Sequence, residues 1–305
     1  MSLASDGGLL DMAPGESDAG QQPPSDALVE PADAELEDAA LPDAMLPDAE
    51  PIDPAALIAW VVLPGDGFTM GNTEAEVPNE RPLRFINVEP FEMSRTEVTV
   101  EQYAACVEAN ACDPPIADGE LFNWGTEGRE QHPINGVTWS QAVDFAEWVG
   151  GRLPSEVEWE YVAKGQGIPF DPLYPWGIAE PTCELAHIGT SFLTEDGIFV
   201  EQPGCNTGIT APVCSLPDGN TLQGVCDMAG NVEEWIADYW HDSYMDAPAD
   251  QSARSQPSPD HLEGRAIRGG HLLSQLGELQ THRRGFGLQR LPSWLTGFRV
   301  ARDLE

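Results

Sequence analysis

The chain has 305 residues, with 52 acids against 14 bases and a formal net charge of −38. That length suits one large domain or two small ones. A phosphate-binding face needs clustered cations. The 13 Arg and the single Lys (Lys164) are spread from Arg81 to Arg302 without clustering on one segment, which argues against nucleic acid as a partner. An anionic membrane surface would also repel such a protein, and the charge reads as a solubility device.

Residues 1–56 hold 14 acids and 8 prolines, with no Lys or Arg before Arg81 and no aromatic residue before Trp60. Such a segment cannot bury enough apolar surface to offset its ordering entropy. A disordered acidic tether is therefore expected there, followed by a globular domain over 57–305. Pro-Asp-Ala recurs at 42–44 and 47–49 as low complexity. The opening Met1-Ser2-Leu3 reads as a non-native addition. The tether then reads as the spacer from an export signal or lipid anchor further upstream. The longest apolar run, Ala55 to Leu63, is too short to cross a bilayer.

From Trp60 the texture changes. Val61 to Leu63 reads as a strand, Pro64 to Gly67 as a turn, and Arg84 to Val88 as an alternating strand with Phe91 to Met93 as its extension. Three helices are announced by Ser/Thr-x-x-Gln/Glu boxes, in which both side chains satisfy orphan backbone N–H groups. Thr99 with Gln102 starts the first, which runs to about Asn110. Thr138 with Gln141 starts the second, which Gly150-Gly151 stops. Ser155 with Glu158 starts the third, which Gly165 ends. Beyond Gly165 periodicity dissolves into Gly, Pro, Trp and Asn, broken by short apolar pieces such as Glu233 to Trp240. Aromatic anchors and disulfides can hold such a region where regular elements do not. The expected class is α+β, rich in irregular structure.

The six cysteines are Cys106, Cys112, Cys183, Cys205, Cys214 and Cys226. No Cys-x2-Cys pair exists and the spacings do not match common zinc patterns. An even count then favours disulfides and an oxidising compartment. The local pairs Cys106–Cys112, Cys183–Cys205 and Cys214–Cys226 are preferred because short loops close easily.

Several blocks now line up: Phe68-Thr69-Met70-Gly71, Glu80-Arg81-Pro82, Glu97-Val98-Thr99 and Pro133-Ile134-Asn135-Gly136-Val137-Thr138-Trp139. They are followed by Arg152-Leu153-Pro154-Ser155-Glu156-Val157-Glu158-Trp159, Tyr174-Pro175-Trp176-Gly177 and Asp227-Met228-Ala229-Gly230-Asn231-Val232-Glu233-Glu234-Trp235. Arg268-Gly269-Gly270 and Gly297-Phe298-Arg299-Val300 close the series. No single block is specific, but this ordered set resembles the sulfatase-modifying-factor family, whose founding activity is the formylglycine-generating enzyme. The resemblance covers roughly residues 60–303. It implies one compact α+β domain, distantly like a C-type lectin and poor in regular structure. It also implies a reaction in which a cysteine of a Cys-x-Pro-x-Arg peptide is oxidised with oxygen and copper.

Cu(I) is soft and prefers sulfur ligands. The family's two copper cysteines lie just after the Arg-Gly-Gly block, five residues apart. Counting forward, those positions fall on Ser274 and Leu279. No cysteine follows Cys226, and the family's Gly-Gly-Ser is Gly-Gly-His at His271. Copper is therefore not expected. The resemblance also implies structural calcium, carried over to the side chains of Asp227 and Glu234 and the carbonyls of Met228 and Val232, since calcium takes hard oxygen ligands. The competing reading is that Asp227 caps a turn and Glu234 pairs with an Arg. A second family calcium site lacks its acidic ligand near Cys205 to Thr207.

His271, Gln275, Glu278 and His282 make the altered cleft polar. They could bind a transition metal or serve acid/base work, or simply form a solvated wall. His132, His187, His241 and His261 show no partner pattern. Trp124, Trp139, Trp159, Trp176 and Trp235 could line a groove, but read better as core. The leading expectation is a monomeric, extracytoplasmic binding module that holds a peptide or glycan without oxidising it. The alternatives are a formylglycine-generating oxidase, or a metal-dependent enzyme built on His271, Glu278 and His282.

Overall fold

The computed structural model describes residues 53–72, 78–116, 119–165, 172–188, 191–193, 199–201 and 208–304. The acidic segment expected over 1–56 lies outside them as far as residue 52. Pro54–Leu57 forms a 3-10 turn capped by Asp53. Its Leu57 carbonyl accepts from Gln102 Nε2 at 2.8 Å.

The strands and helices in chain order are β1 (Trp60–Leu63), β2 (Gly67–Met70), β3 (Arg84–Asn87), β4 (Phe91–Ser94), α1 (Val100–Glu108), α2 (Trp139–Trp148), α3 (Glu156–Ala163), β5 (Ser191–Leu193), β6 (Phe199–Glu201), β7 (Glu233–Tyr239), β8 (Gly264–Arg268), β9 (Gly285–Leu288), β10 (Thr296–Gly297) and β11 (Ala301–Asp303). All three expected capping boxes form, with both reciprocal hydrogen bonds present. The first helix stops at Glu108, short of Asn110, which turns into the left-handed region at φ 57°. That conformation is a common helix terminator.

Phe91 to Met93 is not an extension of β3. β3 pairs with β2 as a hairpin, while β4 is a separate strand lying between β1 and β11 in an antiparallel three-stranded sheet. Glu89-Pro90 separates the two, and a Pro cannot donate to a ladder. The largest sheet, in the order β10-β7-β8-β9, comes from the stretch where no period is visible in the sequence. All five residues of β8 are buried, Arg265 and Arg268 included, so an inside/outside alternation has nothing to mark.

Two main apolar clusters flank this sheet. One gathers Phe68, Phe91, Trp159, Tyr161 and Ile236. The other gathers Tyr103, Phe145, Trp235 and Phe298 under α1 and α2. Trp159 and Trp235 are core, and their indole N–H groups are satisfied by Glu234 and by the Val137 carbonyl. Every residue of α3 is buried, including Glu156, Glu158 and Glu160. Bases meet them: Arg284 on Glu156 at 2.6 Å, Arg152 on Glu158 at 2.7 Å, and Lys164 with Arg268 on Glu160. A buried carboxyl that stays ionised needs such a partner. Much of the scarce basic charge is therefore spent inside the fold, which leaves the outside acidic.

Cys106–Cys112 and Cys214–Cys226 are disulfides. Cys183 is also disulfide-bonded, and its expected partner Cys205 lies outside the described residues. Among the described residues no helix is long and apolar enough to cross a membrane.

Candidate functional site

β8 runs out into Gly269 and Gly270, both at positive φ (94° and 64°). A Cβ on Gly270 would come within 3.1 Å of Ser274 Oγ and 3.0 Å of Leu279 Cδ2. A glycine is needed both for the left-handed turn and for this close approach. Ser274 and Leu279 thus flank one small space beside the turn, where the family resemblance places two thiolates. Neither side chain is free there. Ser274 Oγ accepts the His271 backbone N–H at 3.0 Å, and Leu279 is buried against Tyr174, Ala186, Ile188 and Ala229.

A cavity of about 130 Å³ opens at this turn, with Glu233, Arg268, His271, Ser274, Glu278 and Arg283 on its walls. The His271 ring nitrogen Nδ1 accepts from the Leu273 N–H. Burial holds the His271 imidazole below its usual range, against a weaker opposing pull from Glu278. Glu278 Oε2 accepts the Gln275 N–H at 2.8 Å, which caps a 3-10 turn over Leu276–Leu279. The two other residues expected in the cleft do not line it. His282 is buried and turned away, with Nε2 2.9 Å from Asn72 Nδ2 and 3.6 Å from Glu80 Oε2. Burial pushes it down to about 4. His271, Glu278 and His282 therefore do not form one cluster. Among the described residues, no group of three or more His, Cys, Asp or Glu side chains is arranged to hold a metal ion.

The structure adds Glu233 to the cleft. It opens β7, where successive side chains point to opposite faces. Glu234 therefore enters the core and Glu233 faces the cavity. Glu233 Oε1 accepts from Thr296 Oγ1 at 2.7 Å. Burial, reinforced by Glu278, pushes its carboxyl up to about 7. The sequence held the signal: two adjacent acids at a strand start cannot share one face.

The four donors expected for calcium divide. Both oxygens of Glu234 are engaged by Arg299, from Nε and Nη2 at 2.7 Å each, and Oε2 also accepts from Trp159 Nε1 at 2.9 Å. Asp227, in the left-handed region at φ 55°, accepts the Cys214 N–H. Glu97 is fully buried beside them, accepting from Asn231 Nδ2 at 3.1 Å. Burial, then the nearby Asp227 and Glu234, hold its carboxyl well above the usual range. Three buried acids thus crowd one guanidinium.

Residues 48–304 match the sulfatase-modifying factor enzyme 1-like domain. The formylglycine-generating enzyme of Thermomonospora curvata is 29% identical over 293 residues, covering 80% of this chain and 93% of that one. A hercynine oxygenase of Mycolicibacterium thermoresistibile is 30% identical over 204 residues, covering 56% of this chain and 41% of that one. Among solved structures, PvdO from Pseudomonas aeruginosa superposes with a TM-score of 0.62 at 30% identity, over 80% of this chain and 94% of its own.

Proposed function

We infer the function from one premise, that the chain belongs to the sulfatase-modifying factor enzyme 1-like family, and propose that within it this domain binds its ligand without oxidising it. The observation that carries the reading is the occupancy of the turn after Arg268-Gly269-Gly270. A hydroxyl already used in a local hydrogen bond and a buried leucine stand where a soft metal needs sulfur. No described cysteine is free to substitute. The disulfides support an extracytoplasmic location, where an acidic tether would display the domain.

The cleft is smaller than the range of about 300–1,000 Å³ usual for small-molecule pockets. It suits the end of one side chain of a bound peptide better than a sugar ring. Glu233 and Glu278 would supply the hydrogen-bond acceptors. Incubating the protein with copper, oxygen, reductant and a Cys-x-Pro-x-Arg peptide tests the reading by mass spectrometry. The peptide is expected back unchanged, and formation of the aldehyde overturns the proposal. The names of the relatives favour the second reading, a formylglycine-generating oxidase, and the same aldehyde would establish it.

A further inference from the structure

The cleft occupies one end of the β7–β8 pair. At the other end lies a far larger concavity, about 1300 Å³. Glu233 and Arg268 line the first, while Tyr239 and Arg265 line the second. Glu233 and Tyr239 are six residue steps apart along β7, about 20 Å at the rise of a strand. The groove is therefore distinct from the cleft, and nothing in the proposed function uses it.

One wall of the groove is a face of α2. Trp139, Val143 and Glu147 line it at four-residue spacing, which puts them on one side of the helix. The floor is built of aromatic rings around one guanidinium. The Arg265 guanidinium lies 3.5 Å from the ring centroids of both Trp139 and Tyr239, and its Nη1 donates to the Ala237 carbonyl at 2.9 Å. With Arg265 filling the space between the rings, those faces are closed to a stacked sugar. The other base of the groove, Arg152, is held by Glu158 and Asp303. What remains at the rim is negative. Glu89, Glu147 and Asp250 are exposed carboxylates with no ion pair among the described residues, and Asp250 accepts from the Ser252 N–H and hydroxyl.

We propose that this groove docks an extended basic segment of a partner protein, carrying two or more Arg or Lys side chains. Charge complementarity selects that occupant. The volume exceeds that of a small-molecule pocket and accommodates several residues. Three carboxylates without an ion pair outweigh the one such guanidinium, Arg265, and the aromatic rings of the floor can take aliphatic stems below cationic heads. The same charge argues against the chain's own first 50 residues, which carry acids and no Lys or Arg, and against a second copy of a chain with net charge −38.

Fluorescence anisotropy with the full 305-residue chain tests this. The probe is a labelled ten-residue peptide of alternating Arg and Gly/Ser, compared with the same peptide carrying Glu for Arg. Saturable binding of the basic peptide alone is expected. Reversing two rim charges (Glu147→Lys with Asp250→Lys) is expected to weaken it about tenfold or more. Reversing two exposed charges outside the groove (Glu108→Lys with Glu127→Lys) and changing the cleft (Glu278→Gln) are expected to leave it within about twofold. The proposal is overturned if the basic peptide does not bind. Equal losses from both reversal pairs would mean diffuse attraction to an acidic chain and would also overturn it. A loss confined to Glu278→Gln would move the site to the cleft and overturn it too. Circular dichroism of each variant confirms that it is folded.

Discussion

Replacing Glu233 with Gln removes a titration that the fold places in the cleft near neutral pH. Gln can still accept the Thr296 hydroxyl bond, so the change is chiefly one of charge. Burial raises the Glu233 carboxyl from 4.5 to about 7. A raised carboxyl holds its proton in the folded state after the unfolded chain has lost it. Its contribution is fully present below pH 4.5 and is lost as pH rises through 7. At about 1.36 kcal/mol per pH unit, the full penalty above pH 7 is about 3 kcal/mol. About 2 kcal/mol of it develops between pH 5.5 and 8. Asp238, also pushed up to about 7 by burial and by Glu156, titrates in the same window. The informative quantity is therefore the difference between Glu233→Gln and wild type. Thermal unfolding at the two pH values should show the variant's advantage widening by about 4–8 °C toward pH 8. A difference that stays constant between pH 5.5 and 8 would refute the placement of Glu233 in a buried, acidic cleft.

Arg299→Met strands Glu97, Asp227 and Glu234 without their guanidinium. Removing one partner of a buried pair costs about 3–5 kcal/mol, and a loss below about 1 kcal/mol in denaturant unfolding would contradict the pairing. Replacing Cys106 and Cys112 together with Ala opens a loop with a sequence separation of 6. The loop-entropy relation gives a loss of about 2 kcal/mol, read as a lower thermal midpoint that reductant no longer shifts at that site. Calcium at the donors expected from the family resemblance, the side chains of Asp227 and Glu234 and the carbonyls of Met228 and Val232, should raise the thermal midpoint over that in chelator. An unchanged midpoint in millimolar calcium would show that these donors hold no such ion.

The helices were legible because their boundaries are written locally. Thr99, Thr138 and Ser155 each meet their Gln or Glu partner within one turn, and no distant residue is needed to form the cap. The central sheet was not legible. β8 is buried on both sides, and its Arg265 and Arg268 are stabilised by residues far away in sequence, Trp139 and Glu160 among them. The same long-range pairing explains the site. Glu234 pairs with Arg299, 65 residues on, which is the competing reading of that acid; local spacing offers an arginine partner but cannot say which one. His282 is similarly claimed by Asn72 and Glu80. Ser274 and Leu279 both come close to Gly270, a nearness that depends only on a short loop and two glycines at positive φ.

Copper(I) binding tests the central claim most directly. A titration against a competing Cu(I) chelator should show no competitive uptake by the wild-type chain. Ser274→Cys with Leu279→Cys should acquire about one equivalent, since two thiolates suffice for a soft metal and the Gly270 turn already brings those positions together. Stoichiometric, tight Cu(I) binding by the wild-type protein would contradict the reading of this domain as one that binds without oxidising.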